Sequence, residues 1–337
     1  MRRRNAFRSC VQAVEILELR MCPSSATLVN GILTVTGSQN RDIITVKEVG
    51  DQVLVKIDRS PQQAFQKSMV GEIHIFALNG NDRVVVELAQ PPTSAFHIEG
   101  GKGNDVVSVN AKYKLPPLYR TLERVEIGGI TREPGTILDA NVFTDSLGEI
   151  DSLLSTGHIE LVNQLIFVSG EIFGGKGNDR LSVDGEGFIT GVTFYGEKGN
   201  DTLIGGYGND LLYGDQGNDS LLGGGGDDAL FGGSGNDRLF GNDGNDFLLD
   251  IDGKNLFNGS DGNDQLIALS VTNTLFGGSG DDEITVGYSS PHGLIDGGSG
   301  NDTLRSPIVN ASYNQNFDFR IFDQVHIINM EGNINPV

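Results

Sequence analysis

From residue 27 onward, apolar residues recur at every second position in short runs, among them Ile32 to Val35, Val53 to Ile57, Ile73 to Phe76 and Val84 to Val86. Glycine, asparagine and proline bound these runs. Side chains of a strand point alternately to its two faces, so the pattern predicts short strands with one buried face. From Gly196 the pattern tightens into a fixed period. Ten units begin at Gly196, Gly205, Gly214, Gly223, Gly232, Gly241, Asp250, Gly259, Ala268 and Gly277, each nine residues after the last. Self-similarity at a fixed short period is the signature of a stacked repeat architecture. The eighth position reads Leu203, Leu212, Leu221, Leu230, Leu239, Leu248, Phe257, Leu266, Leu275 and Ile284, a column that predicts a core.

The turns between these apolar centres carry the chemistry. Glycine at positions one, two and four permits positive φ and a sharp turn, and the residues around position eight form a short strand. Two units make one coil, so successive units alternate between two facing sheets and the same face returns every 18 residues. The sixth position reads Asp201, Asp210, Asp219, Asp228, Asp237, Asp246, Asn255, Asp264, Asn273 and Asp282. Stacked strands lie about 4.7 to 4.9 Å apart and Ca²⁺ takes oxygens at about 2.3 to 2.6 Å, so an ion fits midway between aspartates of neighbouring coils. Without it, carboxylates at that spacing repel by about 1 to 3.5 kcal/mol per step at effective dielectrics of 80 to 20. Isolated units of the same form begin at Gly100 (GGKGNDVVS), Gly174 (GGKGNDRLS) and Gly297 (GGSGNDTLR), adding Asp105, Asp179 and Asp302 as candidate ligands. Weaker echoes surround Asp42 and Asp82.

The period divides the ten units into two rows. One row reads Asp201, Asp219, Asp237, Asn255, Asn273, and the other reads Asp210, Asp228, Asp246, Asp264, Asp282. The expectation is a lopsided ladder of about six ions in residues 196–285, four on the second row and two on the first. Asn255 offers at best a neutral oxygen, and the unit at Ala268 has lost its glycines and is expected to be a plain structural coil. Position nine is apolar in most units, including Ile204, Tyr213, Leu222, Phe231, Phe240, Leu249, Ile267 and Phe276. Those side chains point away from the leucine column, as an exposed stacking ladder or as a docking face.

Composition supports a metal-stiffened chain. The 337 residues include 48 glycines, no tryptophan and 37% hydrophobic residues, little material for an ordinary core. The formal charge is −21, and residues 196–285 alone hold 17 acidic and 3 basic residues, a net −14. Such a surface repels nucleic acid and anionic membranes and attracts cations. Cys10 and Cys22 are the only cysteines, so disulfides cannot staple the body of the chain, and no run is apolar enough for a transmembrane helix. The same 90 residues hold 22 glycines, whose ordering costs on the order of 10 to 20 kcal/mol relative to alanine. A narrow leucine core does not offset that alone, and the apo repeat is therefore expected to be disordered, with binding and folding one event.

These residues resemble the RTX family, the hemolysin-type calcium-binding repeats with the nonapeptide GGxGxDxUx. The resemblance covers the ten in-frame units and the three isolated ones. It implies an all-β, parallel β-roll (β-solenoid), bacterial export, and Ca²⁺ held by the repeat aspartates and by turn carbonyls. Carried over only to units that keep both glycine and aspartate, it adds Gly199, Gly208, Gly217, Gly226, Gly235, Gly244, Gly262 and Gly280 to the candidate metal site. The N-terminus is similar to LExRxxxSA-type export leaders at Leu17, Glu18, Arg20, Ser25 and Ala26, with a short amphipathic helix or disordered tail as the other reading.

The resulting domain plan has a leader or disordered segment at 1–26, an irregular β-solenoid or sheet-rich region at 27–173, the calcium-binding roll at 174–309 and a C-terminal cap at 310–337. A separate sandwich domain is the rival for the second region, and Asp145 to Leu154 is a candidate helix. The five histidines never reach HExxH spacing, and GxSxG and GxxxxGK[ST] are absent. Asp250 and Asp252 start like an EF-hand, but Asn255 and Asp261 occupy the places of its glycine and bidentate glutamate. The favoured function is an extracellular or cell-surface calcium-binding protein, structural or adhesive, with polysaccharide or another surface protein as candidate partner. The alternatives are a calcium-buffering matrix component and a polysaccharide lyase or epimerase, for which His97, Asp105, Lys112, Tyr113 and Lys114 are the available side chains.

Overall fold

The computed structural model describes residues 24–88, 95–111, 170–184, 191–270, 273–287 and 294–305, with the backbone of short strands within 118–162 and 326–335. Most of the leader-like segment and the candidate helix over Asp145 to Leu154 lie outside the described residues. The architecture is a parallel β-solenoid built from a 14-stranded sheet and a 12-stranded sheet, with no α-helix among the described residues.

The nine-residue period produces this directly. Strands Val192–Lys198, Leu211–Gln216, Ala229–Ser234, Phe247–Asp250, Gln265–Ala268 and Glu283–Val286 are neighbours in the larger sheet. The intervening strands Thr202–Tyr207, Ser220–Gly225, Arg238–Asp243, Leu256–Asp261 and Thr274–Ser279 are neighbours in the smaller one. Each pair is parallel and in register at position eight: Leu203 lies opposite Leu221, which lies opposite Leu239, then Phe257 and Leu275. All ten position-eight residues are fully or almost fully buried, as the apolar column predicts.

The described solenoid strands between residues 32 and 111 belong to the same two sheets. The column Val35, Ile75, Ile98, Ile172, Phe194, Leu212 runs unbroken from the first coils into the repeat. The runs expected at Ile32 to Val35, Val53 to Ile57, Ile73 to Phe76 and Val84 to Val86 are the strands Ile32–Thr36, Gln52–Ile57, Glu72–Phe76 and Arg83–Leu88. The core changes width along the stack. Early strands bury two apolar side chains each, as Ile73 with Ile75, Val84 with Val86 and Val107 with Val109 do, whereas the regular repeat strands bury one and place a glycine at the next inward position, which Asp250, Ala268 and Val286 take in three later strands.

Antiparallel pairs close the first end. Ser25–Val29 folds back on Ile32–Thr36, and Gln52–Ile57 and Gln63–Gln66 extend the smaller sheet in antiparallel order. Reversing direction at an edge interrupts the parallel template that another chain would extend. Beyond the repeat, His326–Ile328 continues the larger sheet and Ile334–Asn335 pairs with it antiparallel. Between Val106–Ala111 and Gly170–Lys176 the chain makes an excursion with its own antiparallel pairs: Leu118–Thr121 pairs with Ile137–Asp139 and Ile159–Val162, and Val125–Ile127 with Ile130–Arg132.

Candidate metal centre

Every position-six residue sits in a turn where the chain crosses from one sheet to the other. The Asp201 row lies in the turns that lead into the smaller sheet, and the Asp210 row in those that lead into the larger one. The two rows are therefore the two edges of the solenoid. On the first edge the row is longer than the period shows, because the backbone N–H of Asp42 donates to Asp82 Oδ1, Asp82 N–H to Asp105, Asp105 N–H to Asp179 and Asp179 N–H to Asp201, each at 2.7 Å. It continues through Asp219, Asp237, Asn255 and Asn273. On the second edge Val192 N–H donates to Asp210, and the chain of bonds runs through Asp228, Asp246, Asp264 and Asp282 to Asp302.

Each carboxylate thus commits Oδ1 to a backbone N–H one coil earlier. Its second oxygen has no partner: Oδ2 of Asp82, Asp105, Asp179, Asp201, Asp210, Asp219, Asp228, Asp237, Asp246, Asp264, Asp282 and Asp302 is buried and unbonded. A buried, unpaired carboxylate oxygen is costly, and one at every coil marks a row of places for cations. The expectation of an ion between two free carboxylates is sharpened accordingly, since one oxygen per aspartate is available.

Position one shows what else faces that oxygen. The sequence assigns its glycine to backbone flexibility, but the glycines with positive φ are those at positions two and four. Position one is glycine for room. A methyl placed on Gly196 would stand 2.7 Å from Asp201 Oδ2 and 2.7 Å from the carbonyl oxygen of Gly214 in the next coil. At Gly214 the same point is 2.7 Å from Asp219 Oδ2 and 2.5 Å from the Gly232 carbonyl, and at Gly100 it is 2.9 Å from Asp105 Oδ2 and 2.7 Å from the Gly174 carbonyl. The space left by the missing side chain is lined by oxygens at close to calcium-ligand distance. No three Asp, Glu, His or Cys side chains converge among the described residues, so a cation placed here would draw on carboxylates together with carbonyls. The position-four glycines form a separate row. Gly199, Gly208, Gly217, Gly226, Gly244, Gly262 and Gly280 donate their N–H groups to position-three carbonyls of the next coil. A methyl on Gly199, Gly217, Gly226, Gly235, Gly244, Gly262 or Gly280 would collide with the position-four carbonyl one coil earlier.

Burial raises the carboxyls far above their ordinary range. Asp201 and Asp264 are pushed up to about 6, Asp210, Asp246 and Asp282 to about 7, and Asp219 and Asp228 to about 8. Desolvation is the largest cause in each, opposed by the backbone hydrogen bond. Charges of neighbouring aspartates along the edge add to the rise at Asp219 and Asp228.

The two asparagines behave differently. Asn255 Nδ2 donates to the carbonyl of Asp252 at 2.6 Å, and Asn273 Nδ2 to the carbonyl of Ser270 at 3.1 Å and to its hydroxyl at 3.0 Å. In both units the amide closes the turn on its own position-three carbonyl and leaves no orphaned oxygen on the asparagine. Sequence reasoning missed a second column at position five. Asn178, Asn200, Asn218 and Asn236 each accept the N–H of residue five in the next coil through Oδ1, at 2.7 to 2.9 Å. On the other edge Asn209, Asp227, Asn245, Asn263 and Asp281 do the same. The signal was the recurrence of Asn or Asp immediately before the position-six aspartate.

Residues 193–221, 222–249, 251–284 and 294–306 match the RTX calcium-binding nonapeptide repeat in four copies. The chain carries RTX calcium-binding repeats. The RTX match begins after the units at Gly100 and Gly174, yet Asp105 and Asp179 stand in the same hydrogen-bonded row as the RTX aspartates. No curated protein matches the chain.

Outside the RTX turns, His97 and Asp105, the two described side chains among those considered for catalysis, do not come together. Asp105 is buried in the first edge, whereas His97 lies on the outer surface of the larger sheet, paired with Glu99 at 3.0 Å and Glu171 at 3.4 Å and packed against Phe173. Lys112, Tyr113 and Lys114 lie outside the described residues. A groove of about 410 Å³ beside His97 is lined by Glu72, His74, Phe96, Glu171 and Thr193. The outward position-nine residues form a ladder: Phe173, Tyr195, Tyr213 and Phe231 stack with centroids 4.6, 5.2 and 4.9 Å apart.

Proposed function

We propose that this calcium-binding repeat protein is structural or adhesive, works outside a bacterial cell or on its surface, and folds its repeat only as it takes up Ca²⁺. The observation that carries this reading is the row of buried Oδ2 atoms along both edges, those of Asp105, Asp179, Asp201, Asp210, Asp219, Asp264 and Asp282 beside a carbonyl in a space kept open by glycine. In the regular turns the ligands are the position-six aspartates, the position-one carbonyls and the carbonyls of the position-four glycines. Each ion removes the desolvation and repulsion that oppose the metal-free fold, so its binding free energy becomes folding free energy. Weak sites suffice where calcium is plentiful, and a chain that stays unfolded until it meets such calcium is fit for export.

The internal amide bonds of Asn255 and Asn273 support the lopsided ladder, with about six ions held by regular turns in residues 196–285. A polysaccharide or another surface protein is the proposed partner, met by the broad regular outer faces. The rival, an enzyme acting on polysaccharide, draws on the groove beside His74 and His97. Calcium titration calorimetry on the full chain tests the main reading: several ions, moderate or weak affinity and a large folding enthalpy are expected. Nanomolar affinity, or binding without a folding signal, contradicts it.

A further inference from the structure

The unit that begins at Asp250 departs from the nonapeptide at two places at once. Position six is Asn255 in place of aspartate, and position one is Asp250 in place of glycine. The first change removes a carboxylate from the first edge. The second puts one back, in a different place.

Asp250 is 98% buried, with a relative exposure of 2%. Its Oδ1 accepts the N–H of Asp252 at 2.9 Å, while its Oδ2 is buried and has no hydrogen-bond partner. This is the same division of labour found in the position-six aspartates, one oxygen on a backbone N–H and the other bare. The bare oxygen is aimed into the cradle of Gly232 in the preceding coil. A methyl on Gly232 would stand 2.9 Å from Asp237 Oδ2 and closer still to Asp250 Oδ2. At Gly196, Gly205, Gly214, Gly259 and Gly277 that point meets one carboxylate oxygen and the position-one carbonyl of the next coil. Here it meets two carboxylate oxygens from adjacent coils, both buried and both unbonded.

A side chain fits at position one because its own turn no longer needs the room. Asn255 turns its amide to the carbonyl of Asp252, so the Asp250 turn is closed from within. Two buried carboxylates directed at one point repel unless a cation or a proton lies between them, and a divalent ion neutralises the pair.

We infer that Asp237 and Asp250 form a divalent-cation site of their own, a two-carboxylate Ca²⁺ site at the step where the regular ligand set fails. The inference rests on the calcium reading above. It corrects the expectation that the first edge ends its ions before the step from Asp237 to Asn255, and moves that end one coil further, to the Asn273 unit.

Native mass spectrometry of the full chain at saturating calcium counts the ions. Asp250→Asn keeps the shape and removes the charge, and is expected to hold one ion fewer than the unaltered chain. Asp250→Gly, which restores the regular position-one residue but leaves Asn255, is expected to lose the same ion. The double variant Asp250→Gly with Asn255→Asp rebuilds a regular unit and is expected to return the count to its original value, which separates ligand loss from misfolding. An unchanged count in Asp250→Asn and Asp250→Gly overturns the site, as does a double variant that stays one ion short. An unaltered chain that retains no calcium overturns the calcium reading itself, and this site with it.

Discussion

At the scale of single residues, the position-six aspartate is a charged group placed where its charge is unwelcome. The carboxyls of Asp201, Asp210 and Asp219 ionise near pH 4 in an unfolded chain but are pushed up to about 6, about 7 and about 8 by burial in the metal-free fold. Raised carboxyls give stability that is complete below about pH 4 and is lost as pH climbs through 6 to 8. Thermal melts in chelator are expected to be highest in mild acid and to fall across that window. In calcium the order reverses, because the ion takes the ionised form. Asp228→Asn removes one bare oxygen and supplies an amide that can close the turn as Asn255 does. Its melting temperature at pH 8 in calcium is expected to fall below that of the unaltered chain. Gly214→Ala would crowd Asp219 Oδ2 at 2.7 Å and the Gly232 carbonyl at 2.5 Å. Denaturation in calcium is expected to show a loss of about 1 to 3 kcal/mol, the usual cost of overpacking.

At the scale of strands and turns, two ladders stabilise the repeat for different reasons. The inward leucines pack against neighbours above and below, and Leu221→Ala is expected to cost about 2 to 5 kcal/mol in a calcium-loaded denaturation curve. The outward ladder contributes less. Tyr213 stacks on Tyr195 and Phe231 at 5.2 and 4.9 Å, so Tyr213→Ala is expected to cost about 1 kcal/mol with little change in calcium affinity. The leucine and aspartate columns could be read from the sequence because a period of nine fixes both the pairing and the direction of each side chain. What the period does not encode stayed hidden. Position one was read as a flexible turn residue, since the collision it avoids is with the next coil rather than with its own backbone. The EF-hand comparison set Asp250 aside, and nothing in its own unit shows that its carboxylate reaches Asp237.

At the scale of the whole molecule, the two halves of one solenoid are held together differently. The steps from Asp42 to Asp82, Asp105 and Asp179 span 40, 23 and 74 residues, against 18 in the repeat, yet all join one row. Unequal loops conceal that register in the sequence, because lengthening a surface loop costs little while the strand spacing stays fixed. Early coils bury two apolar side chains per strand and the regular repeat coils one, with glycine beside it. On the proposed reading, packing sustains the first half and the second depends on its ions. Hydrogen exchange followed by segment, on the full chain near neutral pH with and without calcium, tests this most directly. Slow exchange over 32–36 and 72–88 in both conditions, with residues 196–285 protected only in calcium, is the predicted result. Equal protection of residues 196–285 in chelator and in calcium would contradict the account.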